Sequence, residues 1–265
     1  MLAYYPDQLD AYFAFDVSDA ILAAVRSGLA GELLPVVVRL QREAPVGGWS
    51  PFLRNHDQTR TMTTLGEDLN GAKLAATILL SLPGLPFVYY GEEIGMTGDK
   101  PDPRIRTPMQ WSTEPGAGFT DGLAWEPLQP DSLTANVAVE DSDSTSLLHL
   151  YRSLIHLRST NPALGGGTLV PLRASRDHVL SYLRRQGNDA VLIVVNLGTT
   201  QLSGVTVESD DAALATGTYE LRGLLDNTAG TELQVGPAGR IERYPPMETL
   251  APRIAHVFAL TLVSR

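Results

Sequence analysis

Apolar residues follow two different spacings along this chain. Up to about residue 160, short apolar runs alternate with segments in which apolar residues recur every three or four positions, which is the period of a buried helix face. After residue 167, apolar runs are short and are separated by polar turns, which is typical of antiparallel strands. The first part therefore predicts strand–helix alternation, and the second part predicts an all-β unit.

The first part is predicted to contain three short strands and several helices. The strands are expected over residues 9–15, 51–54 and 86–90. The helices are expected over residues 17–28, 32–42, 72–82 and 144–158. Asp16 can cap the first helix, which Gly28 should end. The third strand is apolar throughout, so we expect it to be buried on both faces, as parallel strands are.

The second part begins where the composition changes, after Asn161 and Pro162. Three consecutive glycines at 165–167 indicate a linker, and residues 179–185 and 190–197 flank a good hairpin turn. Further strands are expected near residues 168–172, 204–208, 218–221 and 255–263. This spacing favours an antiparallel β-sandwich of about 100 residues. We therefore expect two domains, residues 1–162 and 163–265.

Strands and helices alternate in the α/β part as they do in a barrel of eight βα units, but this part is too short for a whole barrel. A closed barrel takes roughly 250 residues, and only three units fit here. The fold class is thus expected to be α/β plus all-β, a partial TIM barrel followed by a sandwich. A long irregular stretch over residues 95–143 interrupts the pattern, and loops of that length are usually functional.

Charge and composition exclude several classes of partner and site. The formal net charge is −10, which argues against nucleic acid or an anionic membrane as a partner, whereas a neutral sugar is compatible with it. The chain has no cysteine, which excludes disulfides and thiolate metal sites. The longest apolar stretch, 74–90, is broken by prolines and a glycine, so no membrane span is expected. The N-terminus lacks the features of a signal peptide, and we expect a cytoplasmic protein.

Candidate chemistry lies where the predicted strands end. Residues 52–58 read FLRNHDQ, so an Asn-His-Asp triplet leaves the second strand, and Glu92 and Glu93 follow the third. In a barrel enzyme the catalytic groups stand at the C-terminal ends of strands. Taken alone, such a triplet is most often a turn with local side-chain caps. The two glutamates can equally be solvated turn residues.

Three blocks in the same order resemble glycoside hydrolase family 13, the α-amylase and α-glucosidase family. Residues 52–58 resemble its fourth short conserved region. Residues 82–96, LPGLPFVYYGEEIGM, resemble its eighth barrel strand with the following turn, and residues 106–111, RTPMQW, resemble a block of its α-glucosidases. The terminal all-β part is similar to the family's C-terminal domain.

The resemblance implies roles for five residues. Asp57 is expected to be the transition-state stabiliser, which holds sugar hydroxyls as the oxocarbenium-like state forms. His56 is expected to donate to a hydroxyl of the same sugar. Asn55, Arg60 and Arg106 are expected to bind substrate, although arginines commonly pair with structural carboxylates.

The resemblance also implies what this chain lacks. The family's nucleophile and general acid come from the fourth and fifth strands, and no segment before Leu9 matches them. The chain is therefore expected to be a C-terminal fragment of a retaining α-glucan hydrolase, inactive by itself. No cofactor or metal ligand is expected in it, although the parent protein can bind calcium. The alternatives are a non-catalytic carbohydrate-binding module and an inert truncated product.

Two partners follow from this interpretation. One is an α-glucan or maltooligosaccharide. The other is a second copy of the chain, because an incomplete barrel should expose the apolar residues Phe13, Phe15, Phe52 and Phe87. Self-association through the barrel part is therefore expected.

Overall fold

The described structure divides into a helical half and a strand-rich half. The computed structural model describes Tyr4 and residues 8–31, 33–45 and 47–264. The helices are α1 (Phe15–Ser27), α2 (Leu33–Glu43), α3 (Thr61–Thr64), α4 (Leu69–Ser81), α5 (Asp102–Ile105), α6 (Val137–Ser142), α7 (Leu147–Thr160) and α8 (Pro162–Gly165). The strands are β1 (Tyr12–Phe13), β2 (Trp49–Ser50), β3 (Thr168–Ala174), β4 (Val179–Gln186), β5 (Asp189–Asn196), β6 (Leu202–Ser203), β7 (Val207–Glu208), β8 (Gly217–Gly223), β9 (Leu233–Val235), β10 (Thr249–Leu250) and β11 (Ile254–Ser264). None of the described helices is both long and apolar enough to cross a membrane.

The helices predicted from apolar spacing are confirmed to within a few residues. The exception in detail is the start of α1, where Ala14 is the cap residue and Asp16 lies inside the first turn. Asp16 Oδ1 accepts from the backbone N–H of Val17 at 3.0 Å, and its Oδ2 pairs with Arg39 of α2 at 2.6 Å. Gly28 ends α1 as expected, in the left-handed conformation. Glu32, expected to start α2, lies outside the described residues.

The strands of the helical half are shorter than predicted. β1 and β2 pair in parallel over two residues each, with Tyr12 opposite Trp49. Residues 86–90 form no strand, although the N–H groups of Leu85 and Phe87 donate to the carbonyls of Trp49 and Pro51. Pro86 lacks an N–H, and in the described part of the chain no strand pairs with the other edge of this segment. The expectation that it is buried on both faces was wrong, since Leu85 and Phe87 are about half exposed.

The strand-rich half is dominated by one antiparallel sheet. Among the described residues, seven strands pair in the order β7-β3-β4-β5-β11-β8-β9, and β6 pairs with β10 separately. The predicted hairpin is formed by β4 and β5, with Gln186 opposite Asp189 across a two-residue turn. The structure therefore places most strands in one large sheet rather than in two layers of similar size.

Both faces of this sheet are covered, but by different partners. On β4 and β5, the side chains of Leu180, Tyr182 and Ile193 face the core formed by α1, α2, α4 and α7. Their neighbours Leu183 and Leu192 face a second core, built with the short strands and loops of residues 205–250. Alternate residues of each strand thus enter two cores, which explains why these strands are apolar along most of their length.

Two buried arginines bind the C-terminal end of α4, one from α7 and one from the sheet. Arg158 of α7 donates from Nη1 to the carbonyl oxygens of Leu80 and Leu82 at 2.8 and 2.7 Å, and from Nη2 to that of Gly84 at 2.7 Å. These carbonyls lie at the C-terminal end of α4, where a helix has no backbone donors of its own and where its dipole favours a cation. Desolvation lowers the pKa of Arg158 to about 10.

Arg184 of β4 binds the same region from the sheet side. Its Nη1 donates to the carbonyl oxygen of Ser81, and its Nη2 donates to those of Leu164 and Gly167 at 3.1 and 2.7 Å. Tyr182, two residues earlier, forms a hydrogen bond of 2.6 Å with the hydroxyl of Ser81. Burial lowers the pKa of Arg184 to about 9. The end of α4 is therefore bound by α7 and by β4 at once.

The irregular stretch over residues 95–143 is organised around Asp131. Its Oδ2 accepts from the backbone N–H and the hydroxyl of Thr97 at 2.8 and 2.6 Å, and its Oδ1 accepts from the Gln110 amide at 3.1 Å. One carboxylate thus ties the start, the middle and the later part of the loop together. The loop contains the short helices α5 and α6.

We predict that Arg158→Met lowers the free energy of unfolding by about 3 kcal/mol or more. The substitution leaves three carbonyl oxygens near the end of α4 without their donor, and each buried unsatisfied group costs about 1–3 kcal/mol. Urea unfolding followed by circular dichroism measures the change. Arg152→Met, on the exposed face of the same helix, is the matched control, because it removes only a surface ion pair worth under about 1 kcal/mol. Equal losses in the two variants would contradict the role given to Arg158.

Candidate functional site

A cleft lies beside the segment that follows β2. It has a volume of about 320 Å³, and one side is aromatic while the other carries polar and charged groups. The residues that line it are Phe13, Phe15, Phe52, Arg54, Asn55, His56, Asp57, Phe87, Val88 and Tyr89. The cleft therefore lies where all three predicted strand segments, residues 9–15, 51–54 and 86–90, come together.

Four phenylalanines form the aromatic side. The ring of Phe13 meets Phe52 and Phe87 edge-to-face, with centroids 5.6 and 4.8 Å apart, and Phe15 meets Phe52 at 5.0 Å. Edge-to-face pairs of this kind stabilise a fixed arrangement of rings. Phe13, Phe15 and Phe87 are about half exposed, as expected, but Phe52 is buried because the other rings cover it.

The triplet Asn55-His56-Asp57 forms a tight turn with its side chains in solvent. The side-chain oxygen of Asn55 accepts a 2.9 Å hydrogen bond from the backbone N–H of Asp57, which is an Asx turn. His56 Nε2 lies 3.4 Å from Asp57 Oδ2, and both side chains are more than 60% exposed. The structure brings the three together, with Asn55 occupied in shaping the turn and with the other two side chains open to a ligand.

Arg106, from the long irregular loop, binds this turn. Its Nη2 donates to Asp57 Oδ1 at 2.7 Å and to Asp102 Oδ2 at 2.8 Å, and its Nε donates to the carbonyl oxygen of His56 at 2.8 Å. Asp102 also pairs with Lys100, whose hydrogen bond lowers the pKa of Asp102. The result is a row of alternating charges that ends at the carboxylate of Asp57.

Asp102 was missed by the sequence analysis. Its place four residues before Arg106 was the available signal, because side chains four apart meet on one turn of a helix. The single-turn helix α5 was not predicted inside the long irregular stretch, so that spacing was not applied there.

Arg60 does not reach the cleft surface in this structure. It is 2% exposed, and its guanidinium lies 4.7 Å from the ring centroids of both Tyr89 and Tyr90. Its Nη1 donates to the carbonyl oxygen of Tyr90 at 2.7 Å. Burial, with Tyr90 as the next cause, raises the pKa of Tyr89 to about 12. The contacts of Arg60 support the cleft wall from behind.

Glu92 is buried near Tyr89 and Tyr90. The sequence alone had allowed Glu92 to be a solvated turn residue. Its carboxylate accepts hydrogen bonds from the hydroxyls of Thr61 and Tyr151 at 2.7 and 2.9 Å, so it links α3 with α7. Desolvation raises its pKa from 4.5 to about 7. Burial also raises the pKa of the adjacent Glu93.

No metal centre is formed by the part of the chain that the structure describes. Groups of three or more His, Asp or Glu side chains arranged to hold an ion are absent from those residues. The polar side of the cleft presents one carboxylate, Asp57, next to the cations Arg54 and Arg106. Such an arrangement suits hydrogen bonding to hydroxyl groups.

We predict that Glu92 makes the chain less stable as the pH rises from about 4.5 to 7. A carboxyl group whose pKa is higher in the folded state binds its proton more tightly there, so its contribution is complete below 4.5 and is lost as the pH rises through about 7. The shift corresponds to about 3 kcal/mol. Glu92→Gln should flatten this part of the stability–pH curve in urea unfolding, and the exposed control Glu114→Gln should not. An unchanged curve in the Glu92 variant would contradict the assignment.

Known proteins match this chain along most of its length. Alpha-amylase 3 of Dictyoglomus thermophilum is 31% identical over 203 residues, which cover 74% of this chain and 40% of that protein. An oligo-1,6-glucosidase of Parageobacillus thermoglucosidasius is 29% identical over 214 residues, with 65% and 38% covered. The chain thus spans about two fifths of the length of the curated relatives it matches.

Solved structures agree in fold. The α-amylase from H. orenii superposes with a TM-score of 0.69 at 28% identity, over 98% of this chain and 51% of that one. The isomaltulose synthase SmuA from Protaminobacter rubrum shares the fold with a TM-score of 0.73 at 22% identity, over 96% and 51%. A family model described as alpha amylase, catalytic domain, matches residues 28–167, more than half of the chain and the segment that contains the Asn-His-Asp turn and Arg106. The chain belongs to the α-amylase family, glycoside hydrolase family 13.

Proposed function

We propose that this chain is the C-terminal part of a retaining α-glucan hydrolase of the α-amylase or α-glucosidase type. The observation that carries the proposal is the exposed carboxylate of Asp57, held by Arg106 beside His56 at the edge of an aromatic cleft. Family membership supports it, since relatives of the chain are named α-amylases and oligo-1,6-glucosidases. In this proposal the substrate is an α-glucan or maltooligosaccharide.

The proposed architecture assigns two roles to the two halves. β1, β2 and residues 85–90 are the last three strand positions of a TIM barrel, and residues 163–265 form the C-terminal β domain. The parallel pairing of β1 with β2 and the two hydrogen bonds from residues 85 and 87 support this order.

Asp57 is proposed to stabilise the transition state. Arg106 occupies its Oδ1, so Oδ2 is left to accept hydrogen bonds from sugar hydroxyls, with His56 close enough to donate to the same ring. Hydrogen bonds of this kind strengthen as positive charge develops on the sugar, and they contribute several kcal/mol. The four phenylalanines exclude water from one side of the cleft, which strengthens these bonds.

The bond-breaking carboxylates are proposed to come from another part of the parent protein. Retaining hydrolysis needs a nucleophile and a general acid about 5 Å apart. Asp57 is the single carboxylate among the described residues that line the cleft. The chain by itself is therefore proposed to bind sugar without cleaving it.

Sugar binding tests the proposal. Isothermal titration of the chain with maltoheptaose should show binding that Asp57→Ala weakens about tenfold, because that substitution removes a charge-assisted hydrogen bond worth roughly 1.5 kcal/mol or more. Asp141→Asn, at an exposed carboxylate in α6, is the control and should bind like the wild type. Absence of binding by the wild type, or equal binding by the Asp57 variant, would favour the inert product over this proposal.

The exposed aromatic rings predict self-association of the isolated chain. Phe13, Phe15 and Phe87 are about half exposed on one contiguous surface, and apolar surfaces of this kind are rarely left in water. Size-exclusion chromatography with light scattering should give a dimer or larger species, and the double variant Phe13→Ser/Phe87→Ser should shift it towards monomer. Phe119→Ser, at another exposed ring in the long loop, is the control. A monomeric wild type would contradict this part of the proposal.

A further inference from the structure

A second cavity lies between the helical half and the sheet, at the end of β2 remote from the cleft. It has a volume of about 100 Å³, enough for more than one water-sized species. Its walls include Pro45, Pro83 and Leu85 from the helical half, with Arg184 of β4 and Trp49 of β2. From its charges and its unused donor we infer that this cavity binds a small monovalent anion, with chloride as its ordinary occupant.

Arg184 lies in a region with an excess of buried positive charge. Arg184 is fully buried, and Arg158 lies close enough to lower the pKa of Arg184 further, after desolvation. Their hydrogen bonds described above all go to neutral carbonyl oxygens, and neither arginine forms an ion pair with a carboxylate of the described residues. Carbonyl groups and the C-terminal end of α4 offset part of this charge, equivalent to roughly half an elementary charge for the helix dipole. Two buried cations therefore remain without a full counter-charge, which is costly unless an anion is present.

One donor of a residue that lines the cavity is unused. Arg184 Nε is buried without a hydrogen-bond partner. Arg184 is among the residues that line the cavity. Buried donors in native proteins are nearly always paired, with protein, water or an ion. An anion in the cavity would accept from Arg184 Nε.

The donors and walls of the cavity favour one kind of anion. A phosphate or sulfate needs several donors for its oxygens, and among the described lining residues one buried donor, Arg184 Nε, is unused. Prolines and leucine form much of the wall, and such a surface suits a monovalent ion that loses its hydration shell readily. Bromide is therefore the most useful probe, because it has the charge of chloride and is located directly by its anomalous scattering.

Two measurements on the whole chain test the inference. Crystals grown with bromide should show an anomalous peak in the cavity within about 3.5 Å of Arg184 Nε, a distance typical of an N–H to halide contact. In solution, gluconate is replaced by chloride at constant ionic strength. With chloride at ten times its Kd, the Tm of the chain should rise by about 3 °C, because a ligand that binds only the folded state stabilises it.

Variants distinguish this site from general salt effects. Ala44→Leu fills the cavity without removing a charge, so it should abolish both the peak and the chloride-dependent rise in Tm. Arg184→Met should do the same where it folds, and Ala44→Leu decides the matter where it does not. Arg185→Gln, at the next position on β4 with its side chain bonded to the Ala213 carbonyl, is the matched control and should keep both signals.

Every outcome bears on the inference. A bromide peak at Arg184 with a chloride effect that Ala44→Leu removes supports it. Absence of the peak, or the same rise in Tm in the wild type and in Ala44→Leu, overturns it. A peak without any effect on Tm shows binding at crystal concentration only and also overturns it.

Discussion

The structure depends on how the C-terminal end of α4 is bound. A helix end buried without donors for its last carbonyl groups would be costly, and the local donors, the Leu82 N–H and the Ser81 hydroxyl, bond only the carbonyls of residues 77 and 78. Arg158 from α7 and Arg184 from β4 bind the carbonyls at and just after the helix end with four hydrogen bonds. Because one arginine comes from each half of the molecule, the same contact that completes the helix also sets the position of the sheet.

This contact explains why the two halves share a core. Leu180 and Ile193 of the sheet pack among residues of α1 and α4 such as Ile21 and Ile78. The sheet therefore has an inner face that belongs to the helical half and an outer face with a smaller core of its own. Unfolding of the sheet alone would expose both arginines and the apolar face of α4.

Much of the fold could be predicted from the sequence, because helix formation follows a local period. The bounds of α1, α2, α4 and α7 were within a few residues of the prediction, and the β4–β5 hairpin was confirmed. The prediction of a strand over residues 86–90 was wrong. An apolar run shows only that burial is favoured, whereas a strand also needs neighbouring strands that pair with its edges. The sequence also could not predict how the strands are divided between layers, because both faces of β4 and β5 are apolar.

The candidate site was predictable where its residues are adjacent in sequence or lie on one face of the predicted strands. Asn55, His56 and Asp57 form one turn, so a short motif was enough to place them together. The four phenylalanines were also expected together, because the predicted strands place them on one face, whereas only the folded chain shows that Asp102 binds Arg106 beside Asp57. Arg60 is close to Asp57 in sequence, but that closeness did not predict the direction of its side chain, which is buried behind the cleft.

The way in which Asp57 is held has an evolutionary consequence. Its backbone is fixed by the turn after β2, but its carboxylate is oriented by Arg106, which stands in the long loop outside the sheet and helices. Changes of length or sequence between residues 97 and 105 would move Arg106 while leaving the cores intact. Under the proposed function, changes in the loop alone would alter which sugars the cleft accepts.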